Sequence, residues 1–170
     1  MMLLRLLAPL QMFPIQCVGC PRSKSPPQQG EGLAAGLVST FRIFVGRGYR
    51  RVIALDGDSP QLPSQILEHA FRLLDDADVV VGPTPDGGYY LIGATAPEAE
   101  LFDKQRIGTG GALDSLLATA RMLRLKVAMT ETGYDVDEPD DLARLAQELG
   151  LFPSRSPRTA RWLARWNLRE

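Results

Sequence analysis

From Leu33 to Gly150 the chain changes period repeatedly, from apolar residues three and four apart to compact apolar runs, with short polar joins between them. Leu33, Leu37, Phe41, Phe44 and Val45 share one helical face, closed by Gly46 and Gly48. Arg51–Leu55 is a compact apolar run, hence a buried strand. A second helix is expected over 64–74, with Ile66, Leu67, Ala70, Phe71 and Leu74 inward. Strands are expected at 77–81, ended by Gly82-Pro83, and at 89–93, just beyond Asp86-Gly87-Gly88. A helix over 112–123, a strand over 125–129 and a helix from Pro139 to Leu149 complete the body, and there is no internal repeat. Alternation of this kind predicts an α/β fold, a three-layer Rossmann-like arrangement with a mostly parallel sheet covered on both faces. In such sheets the ligand crevice lies off the carboxyl ends of the strands.

The chain's 170 residues make one domain of ordinary size, and 45% apolar composition is enough for a core. Two cysteines exclude a disulfide-stapled scaffold. Cys17-Val18-Gly19-Cys20 lacks a second ligand pair, His69 being the sole histidine, so the two thiols are expected to be reduced bystanders. The formal charge of −1 gives no overall pull toward nucleic acid. Its distribution divides the chain into an irregular segment 1–27 with three basic and no acidic residues, an acidic body 28–151, and a basic linker and helix 152–170. Pro9, Gln11, Pro14 and Gln16 break the leucines around Arg5, so a secretory leader is not expected and the cytoplasm is the expected compartment. No stretch approaches the roughly 20 apolar residues of a membrane span. In the tail, Trp162, Leu163 and Trp166 recur at helical spacing, as do Arg158, Arg161 and Arg165. A helix over 158–168 with its tryptophans docked on the acidic body is expected, because so short a helix is marginal without packing. The alternative is a surface for phosphate, membrane or a partner, a second copy of the chain included.

Three polar clusters fall where the crevice should be. Asp56-Gly57-Asp58-Ser59-Pro60 follows the buried strand directly; residues two apart on an extended chain point the same way, so Asp56 and Asp58 can share a cation. Carboxylate oxygens suit Mg²⁺ or Mn²⁺, which keep substrate phosphates among their ligands. In Gly82–Tyr90, Gly87 and Gly88 permit close approach of a ligand, Asp86 can accept a proton from a hydroxyl, and only one of Tyr89 and Tyr90 can face the crevice. In Asp135–Asp141, Asp137 suits a helix N-cap, with Pro139 and the acids in its first turn, and Asp135 or Asp137 can complete a metal site with Asp58.

The string Val52-Ile53-Ala54-Leu55-Asp56-Gly57-Asp58-Ser59-Pro60-Gln61-Leu62, followed by Asp78–Pro83, Asp86-Gly87-Gly88-Tyr89-Tyr90-Leu91-Ile92-Gly93 and Asp135–Leu142, resembles one family. It is similar to the small glycosyltransferase-A-fold proteins known as radical-SAM/selenodomain-associated or arsenosugar-biosynthesis glycosyltransferases, relatives of 2-phospho-lactate guanylyltransferase and the molybdenum-cofactor nucleotidyltransferases. The resemblance runs from Gln28 to Leu149. It implies a metal-dependent glycosyltransferase that uses a nucleotide-diphospho-sugar donor and a small-molecule acceptor. Under it, Asp58 holds the metal on the diphosphate, Asp86 with Gly87 and Gly88 lines the acceptor or sugar pocket beside Tyr89 and Ser59, and Asp137 is a second metal contact. Asp56 stands where relatives carry glycine, so its chelating role rests on geometry. Relatives open with a strand and a basic nucleotide loop that residues 1–27 do not match, so the first strand–loop–helix unit is expected to be missing. Two alternatives follow: a nucleotidyltransferase, and a degenerate binding module without catalysis.

Overall fold

A computed structural model describes residues 33–96, 99–103 and 110–166. The Cys17/Cys20 pair, the segment 1–27, the opening of the 28–151 body and the end of the tail helix lie outside the described residues. In chain order the elements are α1 (Leu33–Gly46), β1 (Val52–Leu55), α2 (Ser64–Leu73), β2 (Val79–Pro83), β3 (Tyr89–Ala94), α3 (Ala99–Asp103), α4 (Ala112–Met122), β4 (Val127–Met129), α5 (Pro139–Leu151) and α6 (Pro157–Leu163). Each expected helix and strand is present, with ends shifted by a few residues, and α3 is an addition.

The strands form one sheet in the order β1-β3-β2-β4. It is mixed, which corrects the expectation of a mostly parallel sheet. β3 runs antiparallel to both of its neighbours, and only β2 and β4 pair in parallel. The reason lies in the join between β2 and β3, residues 84–88. Five residues can close a hairpin but cannot make the crossover of a dozen or more that a parallel pair needs. β3 therefore folds back beside β2 and inserts between it and β1. β1, β2 and β4 still share one direction, so their carboxyl ends open on the same edge of the sheet.

Both faces of the sheet are covered, as the apolar strand runs require. Val79 and Val81 of β2 pack with Ile92, Ala94 and Val52 under Phe41 and Phe44 of α1, Leu101 and Phe102 of α3 and Leu116 of α4. Phe41 and Phe102 are fully buried with ring centroids 5.2 Å apart. Val80 points the other way, meeting Ala70 and Leu74 at α2 and its end. This alternation is the period-2 pleat of a strand sandwiched between two layers. α5 and α6 make a smaller cluster of their own through Leu145, Leu149 and Leu163.

The tail corrects a second expectation. Leu163, not the tryptophans, docks α6; it is 4% exposed, whereas Trp162 and Trp166 stand on the surface. At helical spacing Leu163 lies on a different face from its neighbour Trp162.

Candidate functional site

The acid-bearing loops meet at the edge where β1, β2 and β4 end. β1 runs straight into Asp56, whose N–H still donates to Tyr90 O of β3 at 2.9 Å, so the strand pairing carries the acid into position. Ser59 Oγ lies 2.7 Å from Asp56 Oδ2 and 2.9 Å from Tyr134 O, and Gln61 Nε2 also donates to Tyr134 O. The Val136 N–H donates to Asp58 O at 3.0 Å. The loop after β4 is thereby stitched to the loop after β1, which brings Asp135 and Asp137 against Asp56 and Asp58.

The electrostatics record that convergence. Burial raises the Asp56 carboxyl to about 7, and the charges of Asp135 and Asp58 push the same way against the Ser59 hydrogen bond. Asp135 is raised first by burial and then by Asp137, Asp86 and Asp141. Asp137 is raised by burial and by Asp58, Asp141 and Asp86. Carboxylates from three loops thus repel one another across one edge, the situation a cation relieves. Asp58 and Asp137 are exposed, while Asp56 and Asp135 are half-buried.

Asp86 sits differently. Its Oδ1 accepts from the Thr84 hydroxyl and from the Gly88 N–H at 3.1 Å, and these bonds hold its carboxyl below the usual range. It therefore stays ionised, a good hydrogen-bond acceptor and a weak base. The turn needs glycine at position 87, where φ is +86° and a Cβ would strike Gly110 O. The Leu113 N–H donates to Gly87 O at 3.0 Å, pinning the start of α4 to this loop.

Not every expected site residue faces the edge. Ser59 is buried and its hydroxyl serves Asp56 and Tyr134, so it braces the acids from within. Tyr89 is half-buried against the larger core, where burial raises its phenol. Tyr90 is buried between Gly82 and Gly133, where a Cβ on either would meet its ring, and its hydroxyl bonds Thr130 Oγ1 and Glu131 O. The N-cap of α5 is Glu138 rather than Asp137: Asp141 Oδ2 accepts from the Glu138 N–H at 3.0 Å, with the Asp137 N–H at 3.3 Å. Pro139 takes the first helical position as expected, which sets the cap one residue later and leaves the Asp137 side chain to the edge.

Sequence patterning gave no notice of Gln61 and Tyr134, since their roles come from contacts more than 70 residues away. Tyr134 is clamped further by the Arg144 guanidinium 3.8 Å from its ring centre and by its own hydroxyl donating to Glu148 at 2.9 Å.

The donor set suits a hard divalent cation that arrives with phosphate ligands. Asp56 Oδ1 is buried with no hydrogen-bond partner among the described residues. Among the described residues no group of three or more His, Cys, Asp or Glu side chains is placed to hold a metal ion. Mg²⁺ bound with substrate phosphates needs only one or two carboxylates, so Asp56 and Asp58 suffice, with Asp137 beside them.

Comparison with known proteins agrees with this architecture. No curated protein matches the sequence. The crystal structure of a "putative nucleotide-diphospho-sugar transferase" from Desulfovibrio desulfuricans G20 matches with a TM-score of 0.75 and 30% identity, over 82% of this chain and 61% of that one. The chain thus spans less than two thirds of that neighbour's length. Residues 19–109, more than half of the chain, match the family described as "Uncharacterized protein conserved in bacteria (DUF2064)". The chain belongs to the DUF2064 family.

Proposed function

We propose that the chain is a transferase domain that binds a nucleotide-diphospho-sugar with Mg²⁺ or Mn²⁺ and passes the sugar to a hydroxyl of a small acceptor. The observation that carries this reading is the convergence of Asp56, Asp58, Asp135, Asp137 and Asp86 on one sheet edge, coupled through their charges. The likeness to the Desulfovibrio protein described as a "putative nucleotide-diphospho-sugar transferase" supports it, and the narrower kinship with the selenodomain-associated glycosyltransferases belongs to the same reading.

Asp58 and Asp56 hold the cation, and Asp137 adds negative charge beside them. The bound cation supplies charge neutralisation for the departing nucleoside diphosphate. Ser59 and Gln61 keep the acid-bearing loop against Tyr134, so that the carboxylates are placed before ligand arrives. Asp86, held ionised by Thr84 and Gly88, accepts a hydrogen bond from the acceptor hydroxyl and orients it. The chain is assigned no nucleic-acid partner, and among the described residues no helix is long and apolar enough to cross a membrane.

Product analysis tests the reaction class. Release of nucleoside diphosphate from a nucleotide-sugar supports sugar transfer. Release of pyrophosphate from a nucleoside triphosphate assigns nucleotidyl transfer instead. Neither product, from folded protein that still binds nucleotide, leaves a binding module.

A further inference from the structure

The chain's only two tryptophans, Trp162 and Trp166, lie together on the surface with ring centroids 5.4 Å apart, 43% and 55% exposed. Two indoles left open to water in one place mark an interaction surface rather than ordinary scatter. Leu163 holds the pair in place by docking on Leu145 and Leu149 of α5, and this contact turns the tryptophans outward. Leu151 and Phe152, at the end of α5, are exposed as well.

The charges around the pair have one sign. From Phe152 to Trp166 there are four arginines and no acidic residue. Among the described residues Arg155 pairs with Glu148 and stacks over Phe152. Arg158, Arg161 and Arg165 are exposed. Indole rings favour the boundary between headgroups and acyl chains, and arginine forms two-point hydrogen bonds with phosphate. A short helix carrying both is the composition of an interfacial anchor. The acidic body 28–151 is repelled by an anionic surface, whereas the stretch from Phe152 to Trp166 is attracted to one.

We propose that the α5–α6 hairpin docks on an anionic lipid bilayer, with Trp162 and Trp166 at the headgroup boundary and Arg158, Arg161 and Arg165 on lipid phosphates. The contact is peripheral and reversible, held by shallow apolar burial and by charge that salt screens.

The two tryptophans make the test direct, because all indole fluorescence comes from the patch itself. The full chain is titrated with vesicles of phosphatidylcholine alone and of phosphatidylcholine mixed with phosphatidylglycerol, and co-sedimentation is measured alongside. The expected result is a blue shift and co-sedimentation with the anionic vesicles only, reversed by raised salt. Each of Arg158→Gln, Arg161→Gln and Arg165→Gln should weaken binding about fivefold. These side chains are exposed, so circular dichroism should be unchanged; Arg→Lys at the same positions keeps the charge but loses the two-point bonds, so its binding should fall between wild type and Arg→Gln, and reversal of wild-type binding by salt serves if a glutamine variant misfolds. Three results overturn the proposal: no shift on anionic vesicles; equal shifts on both vesicle types; or a blue shift that appears with protein concentration in the absence of lipid, which assigns the patch to a second copy of the chain.

Discussion

Ser59 Oγ lies 2.7 Å from Asp56 Oδ2 and 2.9 Å from Tyr134 O, and it has one proton to share between them. When Asp56 is ionised, Ser59 donates to it and Tyr134 O keeps the bond from Gln61 Nε2. When Asp56 is protonated, it can donate to Ser59 Oγ while Ser59 donates to Tyr134 O, and all three oxygens are served. The Ser59 bond favours the ionised form, but burial, with the charges of Asp135 and Asp58, outweighs it and raises the group to about 7.

That relationship fixes the sign of a pH effect. A carboxyl raised from 3.8 to about 7 on folding binds its proton more tightly in the native state. Its stabilising effect is complete below its unfolded value and is lost as the pH rises through about 7. Asp135 and Asp137, raised as well, add to the trend. Denaturant unfolding of wild type and Asp56→Asn should show the variant gaining about 2–4 kcal/mol relative to wild type between about pH 5 and pH 8. The same difference at both pH values would contradict the assignment.

Divalent cation should act on the same balance from the other side. Mg²⁺ or Mn²⁺ favours the ionised acids and so should stabilise wild type more at about pH 8 than at about pH 5. Asp58→Asn relieves repulsion on an exposed side chain, so its own stability should stay within about 0.5 kcal/mol of wild type. The variant should nevertheless lose the cation-dependent gain. Melting curves with metal and with EDTA, at both pH values, separate the two effects.

The hairpin loop should be intolerant of a methyl group at Gly87. With φ at +86° and Gly110 O in the way of a Cβ, Gly87→Ala should cost about 1–3 kcal/mol. Since this loop also holds Asp86, ligand affinity should fall with stability. Denaturant titration of the variant checks the first effect, and binding at low temperature, where the variant is folded, checks the second.

Tyr90→Phe removes a buried hydroxyl that bonds Thr130 Oγ1 at 2.8 Å and Glu131 O at 2.9 Å. It should cost about 1–2 kcal/mol, with ligand binding retained. A loss of binding in folded Tyr90→Phe protein would mean that the hydroxyl does more than lock the loop after β4.

Most of the layer structure was legible because local patterns decide it. The apolar run ending at Leu55 could only be a buried strand, and the helical stripe from Leu33 to Val45 could only cover it. The strand direction was not legible in periodicity, which is the same for a strand running either way; the five-residue join at 84–88 carried that information. The site was legible to the extent that carboxylates follow strand ends. Asp56 and Asp58 announced themselves after β1, whereas Gln61 and Tyr134 act through contacts that only the folded chain makes. The exposure of the tryptophans was not legible, because helical spacing shows which residues share a face but not which face docks; Leu163, with Ala160, anchors α6.

The central claim is that the acidic edge binds a nucleotide-diphospho-sugar through a cation on Asp58. Thermal unfolding should be followed with UDP-, GDP-, ADP-, CDP- and TDP-sugars, each with Mg²⁺, Mn²⁺ or EDTA, on wild type and Asp58→Asn. A ligand at 100 times its Kd should stabilise by about 2.7 kcal/mol, a rise of roughly 5–10 °C for a chain of this size. The account predicts such a rise with one nucleotide series, dependent on metal and absent in Asp58→Asn. Cooperative unfolding that no nucleotide-sugar shifts, with or without metal, would contradict it.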